Sequence, residues 1–291
     1  MSATVPGQLA KGRFSIVEPL GHGHFGVVLA VEDKLRGERV AAKLAPMRNR
    51  DSLRREFEMV DSIGHPNVVR VLELFASEDP PFFTMELVEG SDFVEYARRD
   101  AIAAMPSGRP TLPEVMGQSI QDGGVSAYRR CSPAGFLRLR EALRQAAGAI
   151  DAIHVAGLVH GDIQPANVQV TGEGRVVVLD FGLAADPADR PEVVGTAPYL
   201  APEYGDPGGF GPPADWYALG VLVFEALTGE VPHEGAGPDT LARKQGANAP
   251  DPRDFVKDVP EDLRQACLAL LRISPHRRAR GADVLKILGE K

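Results

Sequence analysis

The chain has 291 residues, 44% of them hydrophobic, and a formal net charge of −8 at pH 7. That length suits a fold with two lobes and sizeable apolar cores, and the acidic balance argues against general nucleic-acid binding. Two cysteines, Cys131 and Cys267, lie far apart and outside any metal-ligand spacing. They fit a reducing, cytoplasmic compartment, with Cys267 as a buried thiol. The N-terminus has no signal peptide, and the longest apolar stretch, residues 216–227, contains Glu225 and is too short to span a bilayer. It reads as a buried core helix.

Residues 1–12 are small and polar and are expected to form a flexible segment. Strands are expected at 14–17, 27–31 and 39–44, each rich in β-branched or small apolar residues. Between the first two lies Gly21-His22-Gly23-His24-Phe25-Gly26, a G-x-G-x-x-G run. Dinucleotide folds share that run, but there the glycines open a helix, whereas here a second strand follows. Lys43 lies on the next strand. His22 and His24 read as solvated loop residues, because no third metal ligand is near. Residues 52–63 show helical periodicity, with Leu53, Phe57, Val60 and Ile63 on one face. Glu56 and Glu58 are its central acids, on different faces. The arginines at 48, 50, 54 and 55 read as a solvated face. Strands at 68–74 and 82–87, joined by a turn at Pro80-Pro81, complete an expected five-stranded antiparallel sheet. Asp92 precedes a helix that starts near Phe93.

Residues 101–132 carry four glycines and three prolines with little periodicity and read as an insertion between two helices, functional or mobile. Ser132-Pro133 then reads as N-cap and first helical residue, followed by a buried stripe from Phe136 to His154. The stretch His160-Gly161-Asp162-Ile163-Gln164-Pro165-Ala166-Asn167 leads into a hairpin closed by Thr171-Gly172-Glu173-Gly174, and the return strand ends at Asp180-Phe181-Gly182. A loop Asp before a strand can accept a proton from a hydroxyl, and an Asn and a second Asp can share magnesium, which prefers oxygen ligands. Downstream come Gly195-Thr196-Ala197-Pro198-Tyr199-Leu200-Ala201-Pro202-Glu203, then Asp215-Trp216-Tyr217-Ala218-Leu219-Gly220 and a late Arg278.

Over residues 12 to 289 these motifs together resemble the protein kinase family, specifically the eukaryotic-like (Hanks-type) bacterial Ser/Thr protein kinases. The resemblance implies an α+β, bilobal protein kinase fold. The β-rich N-lobe would span residues 13–88, and the mainly helical C-lobe residues 89–291 with the insertion at about 101–132. It implies ATP and Mg2+ as cofactors. The backbone at Gly21, Gly23 and Gly26 would approach the phosphates, Lys43 would pair with the α and β phosphates, and Glu56 would hold Lys43. Val28 and Ala41 would cover the adenine. Met85 would be the gatekeeper, and Glu86 to Val88 the hinge whose backbone bonds the adenine. Asp92 would touch the ribose, or else simply cap its helix. Asp162 would orient the substrate hydroxyl, Asn167 and Asp180 would bind metal, Thr196 would bond Asp162, and Arg278 would pair with Glu203. The Gly-Thr-x-x-Tyr-x-Ala-Pro-Glu run resembles Ser/Thr rather than Tyr kinases.

Three positions depart from the family pattern. Gly161 stands where an arginine usually grips a phosphorylated activation loop, and residues 183–195 contain no Ser, Thr or Tyr. The two absences agree on an activity that needs no phosphorylation there. Gln164 replaces a lysine that neutralises the transferring phosphate. An amide supplies a donor without charge, and loss of one such electrostatic donor costs ~10²–10³ in rate by analogy with oxyanion holes. Gln169 stands where an aliphatic adenine floor is usual, and a polar group there must find a partner. The leading reading is a protein Ser/Thr kinase in bacterial signalling. A pseudokinase that binds nucleotide or a partner, and a small-molecule phosphotransferase, are the alternatives. The partners implied are a protein substrate and appended regulatory domains or a partner at 101–132, with no nucleic acid and no membrane segment.

Overall fold

The structure is a computed structural model, and it describes residues 8–23, 26–103, 131–185, 196–204, 209–233 and 238–289. It divides into two compact units. One comprises residues up to Glu89 together with Leu179–Gly182; the other comprises Gly90–Val178 and everything after Gly182.

The first unit is an antiparallel sheet of β1 (Gln8–Leu9), β2 (Phe14–Gly23), β3 (Gly26–Asp33), β4 (Glu38–Leu44), β5 (Val71–Phe75) and β6 (Phe82–Glu86), in the order β1-β2-β3-β4-β6-β5. Five strands are expected from the periodicity; the sixth is β1. Residues 8–12, expected to be flexible, instead form β1 and a 3-10 turn. Leu9 pairs with Phe14 and is buried in the sheet's apolar cluster, so one well-placed leucine holds the edge strand. Residues 1–7 of that segment lie outside the described residues. In the cluster the rings of Phe75 and Phe82 stack 4.5 Å apart, and Phe14 meets both edge-on. Five consecutive residues of β4, Val40 to Leu44, are buried, which marks it as a strand covered on both faces. Helix α1 (Arg50–Ile63) packs on β5 and β6, burying Leu53, Glu56 and Val60 while Glu58 is exposed.

Gly26 carries a structural demand of its own. Its φ is 156°, and a Cβ there would lie 1.9 Å from the Leu44 carbonyl oxygen on β4. The third glycine of the G-x-G-x-x-G run is thus required by strand packing, while a Cβ on Gly21 would meet open space.

The second unit has a small sheet, β7 (Gly90–Asp92), β8 (Val168–Thr171) and β9 (Val176–Val178), with β8 in the middle. The hairpin β8–β9 is expected from the sequence; β7 is not. The helices among its described residues are α2 (Phe93–Ala103), α3 (Pro133–Val155), α4 (Pro212–Thr228), α5 (Pro238–Gly246), α6 (Pro252–Phe255), α7 (Glu261–Leu270) and α8 (Gly281–Ile287). The Ser132 hydroxyl accepts the Gly135 amide at 2.9 Å with Pro133 at the first helical position, so α3 starts where its cap residues dictate. Helix α4 is buried nearly all round, from Ala214 to Thr228 apart from Glu225, and packs against α2, α3 and α7. Both cysteines are free and buried, and burial pushes the Cys131 thiol up to about 11. Among the described residues no helix is long and apolar enough to cross a membrane. Most of the expected insertion, residues 104–130, lies outside the described residues.

Gly26→Ala is expected to lower stability by about 1–3 kcal/mol, the usual cost of a strained backbone or an overfilled contact. A thermal melt of the variant measures it; an unchanged midpoint would mean that β3 and β4 separate freely at this point.

Candidate active site

In the first unit the sheet register sets the candidate nucleotide-binding residues side by side. Val28 on β3 lies opposite Lys43 on β4, and Ala41 on β4 lies opposite Met85 on β6. Ala41, Lys43 and Met85 are buried. Glu86 ends β6, where its carboxylate and amide both bond the backbone of Arg70, and Val88 follows half-buried. Gly21 and Gly23 belong to the end of β2 and Gly26 opens β3; His24 and Phe25 lie outside the described residues.

Lys43 Nζ donates to Glu56 Oε1 at 2.5 Å and to Asp180 Oδ1 at 2.6 Å. Burial alone would push the ammonium's pKa down, but the two carboxylates outweigh it and hold it above the usual lysine range. Lys43 therefore stays charged across the physiological pH range. Asp180 has a left-handed backbone, φ 56°, and its Oδ1 also accepts the Gly182 amide at 3.2 Å. Aspartate tolerates that region better than most residues, because its side chain bonds its own turn. Phe181, buried, donates its amide to Glu56.

In the second unit the loop before β8 is suspended from one carboxylate. Asp215 on α4 accepts the His160 amide at 2.9 Å, the Gly161 amide at 2.9 Å and His154 Nε2 at 2.8 Å. Burial would raise its pKa, but these donors overcome it and hold the carboxyl below the usual range. Gly161 has φ 77°, so the loop turns here through a conformation that disfavours any side chain, the usual arginine included.

That turn presents Asp162. Its Oδ2 accepts Gln164 Nε2 at 2.7 Å and Asn167 Nδ2 at 2.9 Å, and the same Asn167 nitrogen reaches the Asp162 carbonyl at 2.9 Å. Thr196 Oγ1 donates to Gln164 Oε1 at 2.8 Å and lies 3.4 Å from Asp162 Oδ1. Gln164 thus uses both ends of its amide, one on Asp162 and one on Thr196, in place of the charge that a lysine would bring. Gln169 sits on β8 directly opposite Asp92 on β7. Its Nε2 finds the carbonyls of Pro165 and Ala166 at 3.4 and 3.3 Å, which partners the polar group. Asp92 Oδ1 accepts the Glu95 amide at 2.8 Å, so its carboxylate caps α2. Arg278 grips Glu203 with two parallel bonds of 2.5 and 2.8 Å. Of the stretch 183–195, residues 186–195 lie outside the described residues.

The oxygen chemistry suits magnesium. Asn167 carries an amide oxygen, its nitrogen being bonded to Asp162, and Asp180 is a carboxylate 37% exposed. Magnesium takes only one or two such protein ligands when water and phosphates supply the rest. Among the described residues no cluster of three or more His, Cys, Asp or Glu forms an all-protein cage.

Residues 14–287 match the protein kinase domain family. The chain belongs to that family. The kinase domain is 28% identical over 96% of its length to the DNA damage-responsive serine/threonine-protein kinase RqkA of Deinococcus radiodurans, covering 39% of that protein. It is 27% identical over 95% of its length to the serine/threonine-protein kinase PrkC of Bacillus subtilis, covering 40% of it. With the serine/threonine-protein kinase PknA of Mycobacterium tuberculosis it shares 32% identity over 77% of its length and 54% of that protein. The chain spans about two fifths of the length of the first two relatives.

Sequence reasoning missed two features of the kinase domain. Asp215 is visible as the start of an apolar helix, but its three-donor role depends on a loop more than fifty residues earlier. Lys244 and Gln245 on α5 bond the backbone of residues 197–202, and no spacing or motif flags them.

Asp215→Asn is expected to cost about 3–5 kcal/mol, the range for breaking a buried, fully bonded charge. The group's folded pKa is depressed, so its contribution is present above the unfolded carboxylate value of about 3.9 and is lost as pH falls through the folded value. Urea unfolding of both proteins should show a gap that narrows as pH drops below about 3.9. At position 164, the rate of phosphoryl transfer should rank Lys above Gln above Leu. Lysine keeps a donor to Asp162 and adds charge, worth about tenfold, or ~1.4 kcal/mol of barrier. Leucine breaks both ends of the bridge. Single-turnover rates at saturating ATP decide; a lysine variant slower than wild type would mean that the two-ended amide outweighs the missing charge.

Proposed function

We propose that this domain is an ATP- and Mg2+-dependent protein Ser/Thr kinase that transfers the γ-phosphate of ATP to a protein hydroxyl in bacterial signalling. One observation carries the reading: Thr196, in the Gly-Thr-x-x-Tyr-x-Ala-Pro-Glu segment, is tied to Asp162 through Gln164, with its hydroxyl 3.4 Å from the carboxylate. This links the segment of the chain specific to Ser/Thr kinases with the carboxylate that would receive the hydroxyl proton. A small-molecule phosphotransferase has no use for that segment, and the retained Lys43–Glu56 and Lys43–Asp180 pairs argue for transfer rather than binding alone.

In this reading the backbone of Gly21, Gly23 and Gly26 and the charge of Lys43 hold the phosphates, and Glu56 keeps Lys43 extended. Val28, Ala41, Met85 and the backbone from Glu86 to Val88 receive the adenine, and Asp92 and Gln169, paired across β7 and β8, are the nucleotide contacts from the second unit. Asn167 and Asp180 hold the metal, which when bound neutralises charge on the phosphates. Asp162 orients the nucleophile and takes its proton. Bonds from Gln164 and Asn167 fix its geometry, so orientation is its contribution. The unphosphorylated activation segment suffices, the domain works in the cytoplasm, and regulatory domains appended to it supply the signal.

Incubation with labelled ATP, Mg2+ and a generic protein acceptor tests the proposal. Wild type should label the acceptor on Ser or Thr, and Asp180→Asn should abolish transfer while leaving the fold intact. Wild-type-level labelling by a folded Asp180→Asn protein would refute the metal role, and no labelling by wild type would refute the kinase.

A further inference from the structure

A lysine is buried against the segment that follows Thr196. Lys244, on α5, is 1% exposed. Its ammonium donates to three carbonyls, those of Ala197 at 3.0 Å, Pro198 at 2.6 Å and Leu200 at 2.7 Å. An ammonium has three hydrogens and no acceptor, so three carbonyls satisfy it fully. Among the described residues no carboxylate pairs with it. The Tyr217 ring lies 5.5 Å from the ammonium, and Arg278 also approaches that ring, at 5.1 Å.

The neighbouring residue does related work. Gln245 Nε2 bonds the Pro202 carbonyl at 2.9 Å. Two adjacent side chains of one helix therefore hold four carbonyls between residues 197 and 202. Inside the segment, Tyr199 donates its amide to Thr196 and Tyr204 donates its amide to Ala201. The far end is held by the Arg278–Glu203 pair, and the Tyr199 hydroxyl donates to Glu225 on α4 at 2.6 Å. The near end is Thr196, bonded to Gln164 and Asp162. Asp162, Thr196, Tyr199 and Leu200 line one pocket. The segment that Lys244 grips is thus the wall beside the reacting carboxylate.

Tying down a loop does not demand a buried charge. Burial pushes the Lys244 ammonium down to about 8, so its charge is kept at a desolvation cost. A neutral amide could cap one or two of these carbonyls. Only a group with three divergent donors can orient three peptide planes within residues 197–200 toward one point, and fixed peptide planes give the wall a single shape.

We propose that Lys244, assisted by Gln245, is a positioning residue for phosphoryl transfer: it sets the 197–202 wall, and through Thr196 the orientation of Asp162, for the incoming hydroxyl-bearing protein segment. This rests on the kinase reading above.

The test uses the whole chain with dephosphorylated casein as acceptor and compares wild type, Lys244→Met, Lys244→Arg and Gln245→Ala. Methionine removes the donors at nearly constant length. It should lower kcat/KM for casein by about ten- to a hundredfold, the scale of a small misplacement at a reacting centre. The Kd for nucleotide should stay within about twofold of wild type, because Lys244 bonds none of the candidate nucleotide-binding residues. Amide hydrogen exchange in residues 196–204 should rise. Arginine keeps the charge and several donors and should recover most of the loss. Gln245→Ala, at an exposed position, should raise the KM for casein by about threefold, the effect of one neutral hydrogen bond, even if Lys244→Met fails to fold. Faster exchange with unchanged casein kinetics would overturn the proposal and leave Lys244 a structural clamp. A loss shared equally by nucleotide affinity and transfer would overturn it as general destabilisation. No transfer by wild type to casein or to itself would sink the kinase reading, and the inference with it.

Discussion

Asp215 holds the reacting loop from beneath. It is a carboxylate with almost no access to solvent, and removing that charge from water is costly unless its oxygens are fully bonded. Two backbone amides of the His160–Gly161 turn and the ring of His154 supply those bonds. The arrangement works in both directions: the loop satisfies the acid, and the acid forces the loop into one shape, with Gly161 left-handed and Asp162 turned outward. Helix α4 is the support, because its near-complete burial leaves Asp215 nowhere to move.

From that anchor the geometry spreads by shared bonds. Asp162 is bound by Gln164, Asn167 and Thr196; Thr196 begins the segment whose carbonyls Lys244 and Gln245 hold; and Glu203 closes it against Arg278. Each bond fixes an angle that the next one uses. Such a network is suited to catalysis by orientation, where small displacements are expensive. The other unit relies on charge. Lys43 is buried between Glu56 and Asp180, and the two acids keep it ionised where burial alone would favour loss of the proton.

The departures from the family pattern acquire physical meaning at the same places. Gly161 is the residue that the φ 77° turn accommodates, so the missing arginine and the turn are one fact. Gln164 replaces a point charge by a two-ended bridge, which gains angular control and gives up electrostatic stabilisation. Gln169, a polar residue at an expected apolar position, finds two carbonyls of the turn that precedes it, so its burial is not penalised as an unpaired amide would be.

The sequence by itself determined the fold class, the helices at 52–63, from near Phe93, from Pro133 with its Ser132 cap and at 216–227, and most strands. Those signals are local: a two- or 3.6-residue period, a Ser-Pro start, or a motif whose members lie within ten residues of one another. The family resemblance pointed to Glu56 over Glu58, which falls on another face of the helix, and Glu56 is the one buried beside Lys43. Only the tertiary structure decided the rest. It added β1 and β7, strands of two and three residues that are too short for a period and exist because a neighbour supplies their hydrogen bonds. It gave Gly26 a packing reason, since the Leu44 carbonyl that excludes a side chain is eighteen residues away. It showed Asp92 capping α2 and Gln169 facing it across the β7–β8 pair. It turned Lys244 inward. A lysine on a short polar helix carries every local mark of a solvated surface residue, and three carbonyls more than forty residues earlier are what make its burial tolerable. Local chemistry can be read along a chain; the partner that offsets a buried charge is known only once the chain has brought it there.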